Sequence, residues 1–125
     1  MRIGKLSKEN ALKAIYEQRI IIKAIEKAEQ SLLDTLDDRI CQRYILIQNV
    51  SQVAEWLNEN GERINGRKYV GKDIKELMSK SQSSLKGIAL AFFNYNNTVA
   101  NGSKNYSGTI RRLKECVDHE DLSSR

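Results

Sequence analysis

The sequence predicts an all-α fold, with room for no more than short β turns as wings between helices. Three observations predict it. Proline is absent from the 125 residues, which removes the commonest helix breaker. Aromatic residues make up only 6% and Val and Thr are sparse, which argues against a large sheet. Apolar residues recur at spacings of three, four and seven, the period of a helix buried along one side.

Residues 7–48 show this period first. Ser7 and Asn10 are candidate N-caps, and Leu12, Ile15, Ile22, Ile25, Leu32, Leu36 and Ile40 form a long, narrow stripe. Asp34, Asp37 and Asp38 weaken the middle, so the segment is either one long helix or two. A narrow stripe of this length packs against a partner helix as in a coiled coil. Residues 1–48 are therefore expected to form a helical arm that makes the protein a homodimer, with an intramolecular hairpin as the alternative. On the first reading, a fragment starting at Asn49 stays folded and becomes monomeric.

Residues 49–82 have a different texture. Asn49 is a candidate cap for a helix over 50–60 with Val53, Trp56 and Leu57 on one face, and Asn60-Gly61 is suited to end it through a left-handed residue. Glu62 to Tyr69 is a basic connection in which Asn65-Gly66 is a strong turn signal. A second helix over 71–81 turns Ile74, Leu77 and Met78 inward. A shift of 36 residues then lays 53–77 over 89–113, with identities at Asn58/Asn94, Asn60/Asn96, Asn65/Asn101, Gly66/Gly102, Lys68/Lys104, Ile74/Ile110 and Leu77/Leu113. These matches fall on punctuation and core positions, which reads as duplication of one helix–turn–helix unit, the second at 83–117. Residues 118–125 are expected to be a flexible tail.

Charge follows the same division. The net charge is +5. Residues 1–60 carry nine Lys/Arg against nine Asp/Glu and are neutral, whereas residues 61–115 carry eleven against four, a net of +7. A basic domain joined to a neutral arm is the electrostatic footprint of phosphate binding. Within each unit the second helix exposes a basic start, as a major-groove reader requires. Ser107 is expected to cap the later helix, with Thr109 and free backbone amides meeting phosphate and with Arg111 and Arg112 projecting outward. Lys72 and Lys75 occupy similar positions in the first unit. Arg63, Arg67 and Lys68 in the first turn, and Lys104 in the second, are placed to touch flanking backbone or an adjacent minor groove. Tyr69 and Tyr106 are either phosphate contacts or core residues, whereas Trp56, Phe92 and Phe93 are assigned to the core.

The segments Val53-Ala54-Glu55-Trp56-Leu57-Asn58-Glu59-Asn60-Gly61, Asn65-Gly66-Arg67-Lys68-Tyr69 and Asp73-Ile74 resemble the DNA-binding "recombinase" module of large serine recombinases. The second unit is similar to the latter part of that module through Gly102-Ser103-Lys104-Asn105-Tyr106-Ser107 and Thr109-Ile110-Arg111-Arg112-Leu113. The resemblance covers about residues 50–115 and implies DNA binding. It carries no cleavage chemistry, because the neutral arm upstream has no room for a recombinase catalytic domain.

Other chemistry finds little footing. His119 is the single histidine and sits in an acidic tail, so no metal cluster of the usual His/Cys spacing is expected. The seven glycines are dispersed rather than gathered into a phosphate loop, and the adjacent Asp37 and Asp38 do not face one site on a helix. No catalytic residue, metal or cofactor is expected. Cys41 and Cys116 read as buried small hydrophobes, not a disulfide. The polar start and short apolar runs predict neither a secretory signal nor a membrane span, and hence a cytoplasmic, nucleoid-associated protein. The expected function is sequence-selective binding of double-stranded DNA for regulation, partition or architecture, of the kind phages and plasmids carry. Two alternatives remain open: a protein–protein adaptor or inhibitor acting through the N-terminal helix, and RNA binding by the basic half.

Overall fold

The computed structural model describes residues 6–100 and 105–121, with side chains described for 6–97 and 105–117. Among the described residues six α-helices follow one another: α1 (Lys8–Gln30), α2 (Leu36–Ile47), α3 (Val50–Glu59), α4 (Gly71–Ser79), α5 (Lys86–Ala100) and α6 (Tyr106–Asp121). The fold is all-α.

The N-terminal segment is two helices, and the aspartates that weaken its middle build the boundary. Thr35 Oγ1 accepts from the Asp38 amide at 3.2 Å, and Asp38 Oδ2 accepts from the Asp34 amide at 3.2 Å. Asp37 and Asp38 then sit in the first turn of α2, where the helix dipole favours negative charge. Ser7 caps α1 as expected, its Oγ accepting from the Asn10 amide. Gln48 closes α2 in the left-handed region at φ 56°, and Asn49 caps α3 one residue later by accepting from the Gln52 amide.

Asn65 and Gly66 have φ of 51° and 80°, the two positive values that a type I′ turn requires. Ile64 and Arg67 exchange both backbone hydrogen bonds across it, at 2.8 and 3.0 Å, an isolated antiparallel bridge. The Asn58 side chain fastens the returning chain. Its Nδ2 donates to the Tyr69 carbonyl at 3.0 Å and its Oδ1 accepts from the Tyr69 amide at 2.8 Å. The segment between α3 and α4 is thereby tied down at both ends, and the two helices pack on each other.

One core joins all six helices. Ile20, Ala24 and Ala28 of α1 belong to it with Ile40, Cys41, Tyr44 and Ile45 of α2, and with Leu57, Ile74, Ile88, Phe92, Ile110 and Leu113. Helix α2 is its centre, touching α1, α3, α4 and α5, while α6 lies between α1 and α5. Residues 6–48 are therefore no detached arm. The expected stripe also divides: Ile40 is fully buried, whereas Leu12, Ile15, Ile22 and Leu32 face outward. The stripe missed the face that α1 buries, because Ala24 and Ala28, both fully buried, are too small to stand out in an apolar pattern. Polar ties reinforce the packing. Lys27 Nζ donates to the Cys116 carbonyl and Gln42 Nε2 to the Ala28 carbonyl, each at 3.0 Å. Both cysteines are free thiols, as the sequence suggests.

The two repeated segments agree at their helix starts and diverge beyond them. Helices α3 and α5 begin 36 residues apart and α4 and α6 begin 35 apart. Helix α5 runs on past the position matching the end of α3, so Asn60 closes a helix while its counterpart Asn96 sits inside one. There Asn96 Nδ2 donates to Tyr44 Oη and Gln48 Oε1, both at 3.0 Å. The tail expected from residue 118 is also helical as far as Asp121.

Candidate nucleic-acid interface

The outward face of α5 is bordered by cations from both neighbouring helices. On one side, Lys75 of α4 holds its Nζ 5.9 Å from the Phe93 ring centroid. On the other, Arg112 of α6 shares a cleft of about 240 Å³ with Asn94, Tyr95, Asn97, Asn105 and Thr109. Phe93 and Asn97 are about one helical turn apart, and Asn94 lies about 100° round from Phe93, so these residues occupy one sector of α5. Lys86 falls in the same sector at the helix start. The surface thus reads Lys75, then an aromatic edge and a row of amides, then Arg112. A cation contacts phosphate without sequence preference, whereas an amide side chain can read adenine edges, so the surface offers groups of both kinds.

Arg111 and Arg112 are both exposed while Ile110 and Leu113 are buried, as the helical period predicts. They diverge, however, because successive helical residues point about 100° apart. Arg112 leans toward α5, whereas Arg111 points away from the body. Lys114, on the opposite flank, holds its Nζ 5.4 Å from the Tyr16 ring of α1. Lys68 and Lys72 are exposed at the start of the first unit's second helix, on the same unit as Lys75.

Several residues expected to contact nucleic acid are engaged within the chain itself. Arg67 is committed to Asp73: Nη1 donates to Oδ2 at 2.9 Å and Nη2 to Oδ1 at 2.8 Å. With the Val70 amide also donating to Asp73 Oδ2, these bonds hold that carboxyl down at about 2. A two-pronged pair of this kind spends the guanidinium on its own chain, so Arg67 is a clamp on the turn. Arg63 folds back in the same way, its Nη1 donating to the carbonyls of Glu62 and Asn58 at the end of α3. Tyr69 is only 5% exposed, and burial pushes its hydroxyl above the usual tyrosine range. Tyr106 is half-buried against Tyr95, with ring centroids 6.2 Å apart.

The start of α6 is capped by Asn105, not Ser107. Asn105 Oδ1 accepts from the Gly108 amide at 3.1 Å, and Thr109, 7% exposed, donates its hydroxyl to the Asn105 carbonyl at 2.9 Å. The Thr109 hydroxyl proton is thereby committed to its own chain, while Ser107 stays exposed. A β-carbon at Gly108 would stand 2.5 Å from Asn105 Oδ1, so the glycine makes room for the cap. Lys104 lies outside the described residues.

Two features have little or no signal in the sequence. Arg39 and Arg43 of α2 bring their guanidinium carbons within 5.4 and 4.5 Å of the Trp56 ring centroid, and Arg39 also pairs with Glu62 at 3.1 Å. Trp56 is consequently half-buried under cations, while Phe92 is core as expected. The second is the Asn94 and Asn97 row, whose only signal is the abundance of Asn near the repeat. Among the described residues, no group of three His, Cys, Asp or Glu side chains is placed to hold a metal ion, and no helix is long and apolar enough to cross a membrane. No protein-family model, curated protein or solved structure matches the chain.

Proposed function

We propose that the protein binds double-stranded DNA through the face formed by α4, α5 and α6, with no catalytic step. One observation carries the reading. Cations from the two repeated segments, Lys75 and Arg112, border the same α5 sector with Asn94 and Asn97 between them. The neutral first 60 residues and the +7 of residues 61–115 support it, because they direct attraction for phosphate to this half. Lys68, Lys72, Lys86 and Arg111 extend the basic surface, and the amides supply sequence selectivity. Regulation, partition or organisation of DNA on a mobile element fits a binder of this size, and the similarity to the recombinase module points the same way through its short motifs.

A gel mobility shift across a salt series tests the reading. Binding should fall steeply as salt rises, with a slope of about −0.9 per phosphate neutralised. Changing Lys75→Ala with Arg112→Ala should weaken binding and flatten the slope by about one unit for each phosphate no longer neutralised, whereas Lys13→Ala on α1 should do neither. Equal effects from the two variants would remove this face from the function. Structured RNA that competes better than duplex DNA at the same salt would redirect the reading to RNA.

A further inference from the structure

Helix α1 has two apolar sides, and the described residues cover only one of them. Ile20, Ala24 and Ala28 face the core, whereas Leu12, Ile15, Tyr16 and Ile22 are 55, 46, 50 and 52% exposed. The outward residues belong to a regular seam. Positions 8, 12, 15, 19, 22 and 26 alternate steps of four and three, the a/d repeat of a two-stranded coiled coil, and all six are exposed. In order they are Lys8, Leu12, Ile15, Arg19, Ile22 and Glu26.

We infer that a second copy of this chain occupies the seam, antiparallel to the first, with the two-fold axis crossing the seam at the level of residue 17 along the helix. Charge selects this arrangement. About that axis Lys8 meets Glu26 of the second copy, Leu12 meets Ile22, and Ile15 meets the aliphatic stem of Arg19, each pairing occurring twice. On the flank that carries Tyr16, Glu9 comes opposite Lys23 and the two Tyr16 rings come together. A parallel pairing in register would instead stack Lys8 on Lys8, Arg19 on Arg19 and Glu26 on Glu26, three like-charge layers of six. The antiparallel register converts the end layers from repulsive to attractive and leaves no two arginines opposed. Each copy contributes four half-exposed apolar side chains, which places the contact at the small end of specific interfaces, near or below about 1,200 Å². The dimer is accordingly a reversible, micromolar one.

Sedimentation of the full chain without DNA, across a micromolar concentration series, tests the inference independently of DNA binding. A reversible monomer–dimer equilibrium is expected. Ile15→Glu should leave only monomer, while its helical content and melting transition match the parent. Lys8→Glu and Glu26→Lys should each weaken dimerisation on the order of tenfold, because each creates two like-charge end layers. The combined Lys8→Glu, Glu26→Lys chain should return to the parental constant. Arg19→Leu should tighten the dimer, a gain that misfolding cannot imitate. A monomer at every concentration would overturn the inference. So would a dimer indifferent to Ile15→Glu, or single charge reversals that change nothing, since a parallel pairing merely exchanges one like-charge layer for another.

Discussion

Removing residues 1–48 should unfold the protein, although the sequence taken alone suggests that the remainder would stand as two helix–turn–helix units. Among the described residues, seven of the twenty-one buried hydrophobics lie in the removed part: Ile20, Ala24, Ala28, Ile40, Cys41, Tyr44 and Ile45. Burying the three isoleucines alone is worth roughly 5–9 kcal/mol at about 1.5–3 kcal/mol each. Packing is mutual, so the deletion uncovers a comparable area on α4, α5 and α6. A domain of this size is stable by only about 5–15 kcal/mol in total, so the loss approaches or exceeds the whole. The Cys116 carbonyl would also lose Lys27, and Asn96 would lose Tyr44 and Gln48, the partners that join the halves. Far-UV circular dichroism and urea unfolding of a fragment spanning 49–125 measure this directly. The fragment should show little helix and no cooperative transition. A cooperative transition with the helix content of α3 to α6 retained would refute the single shared core.

Three further outcomes follow from the same geometry. Phe92→Ala should destabilise by roughly 3–5 kcal/mol, whereas Trp56→Ala should fall below that range because the indole is half-exposed beneath Arg39 and Arg43; chemical denaturation of both ranks them. Gly108→Ala should displace Asn105 from its capping position and cost about 0.5–2 kcal/mol, read as a lower melting temperature that Ser107→Ala does not share. The Arg67–Asp73 clamp sets an acid dependence. Because the folded carboxyl sits at about 2, below its ordinary value near 3.8, its contribution is complete above the ordinary value and is lost as pH falls toward 2. Asp73→Asn should therefore be less stable than the parent at neutral pH, with the gap closing in acid; a gap that stays constant from pH 7 to 2 would count against the clamp.

Local structure was legible because local chemistry decides it. Ser7 and Asn49 announce helix starts through side-chain acceptors placed three residues before an amide, and Asn65-Gly66 announces its turn through tolerance of positive φ. The buried positions of α3, α4 and α6 follow from a period of 3.6 residues. The charge division between the two halves is a property of composition and required no coordinates.

What only the tertiary structure decided is which surfaces meet. Helix α1 has apolar residues on two sides, and periodicity cannot say which side a neighbour will cover; the fold buries Ile20, Ala24 and Ala28 and leaves Leu12, Ile15 and Ile22 outward. An arginine in a basic turn looks alike whether it serves a ligand or its own chain. Arg67 became structural because the fold sets the Asp73 carboxylate within 2.9 Å of its guanidinium, and Thr109 because a hydroxyl one turn into a helix finds the Asn105 carbonyl. Lys75 and Arg112, 37 residues apart in the chain, share the α5 face because α5 packs between α4 and α6. Sequence determines what each residue offers over short range; the burial of a single common core determines which of those offers point outward.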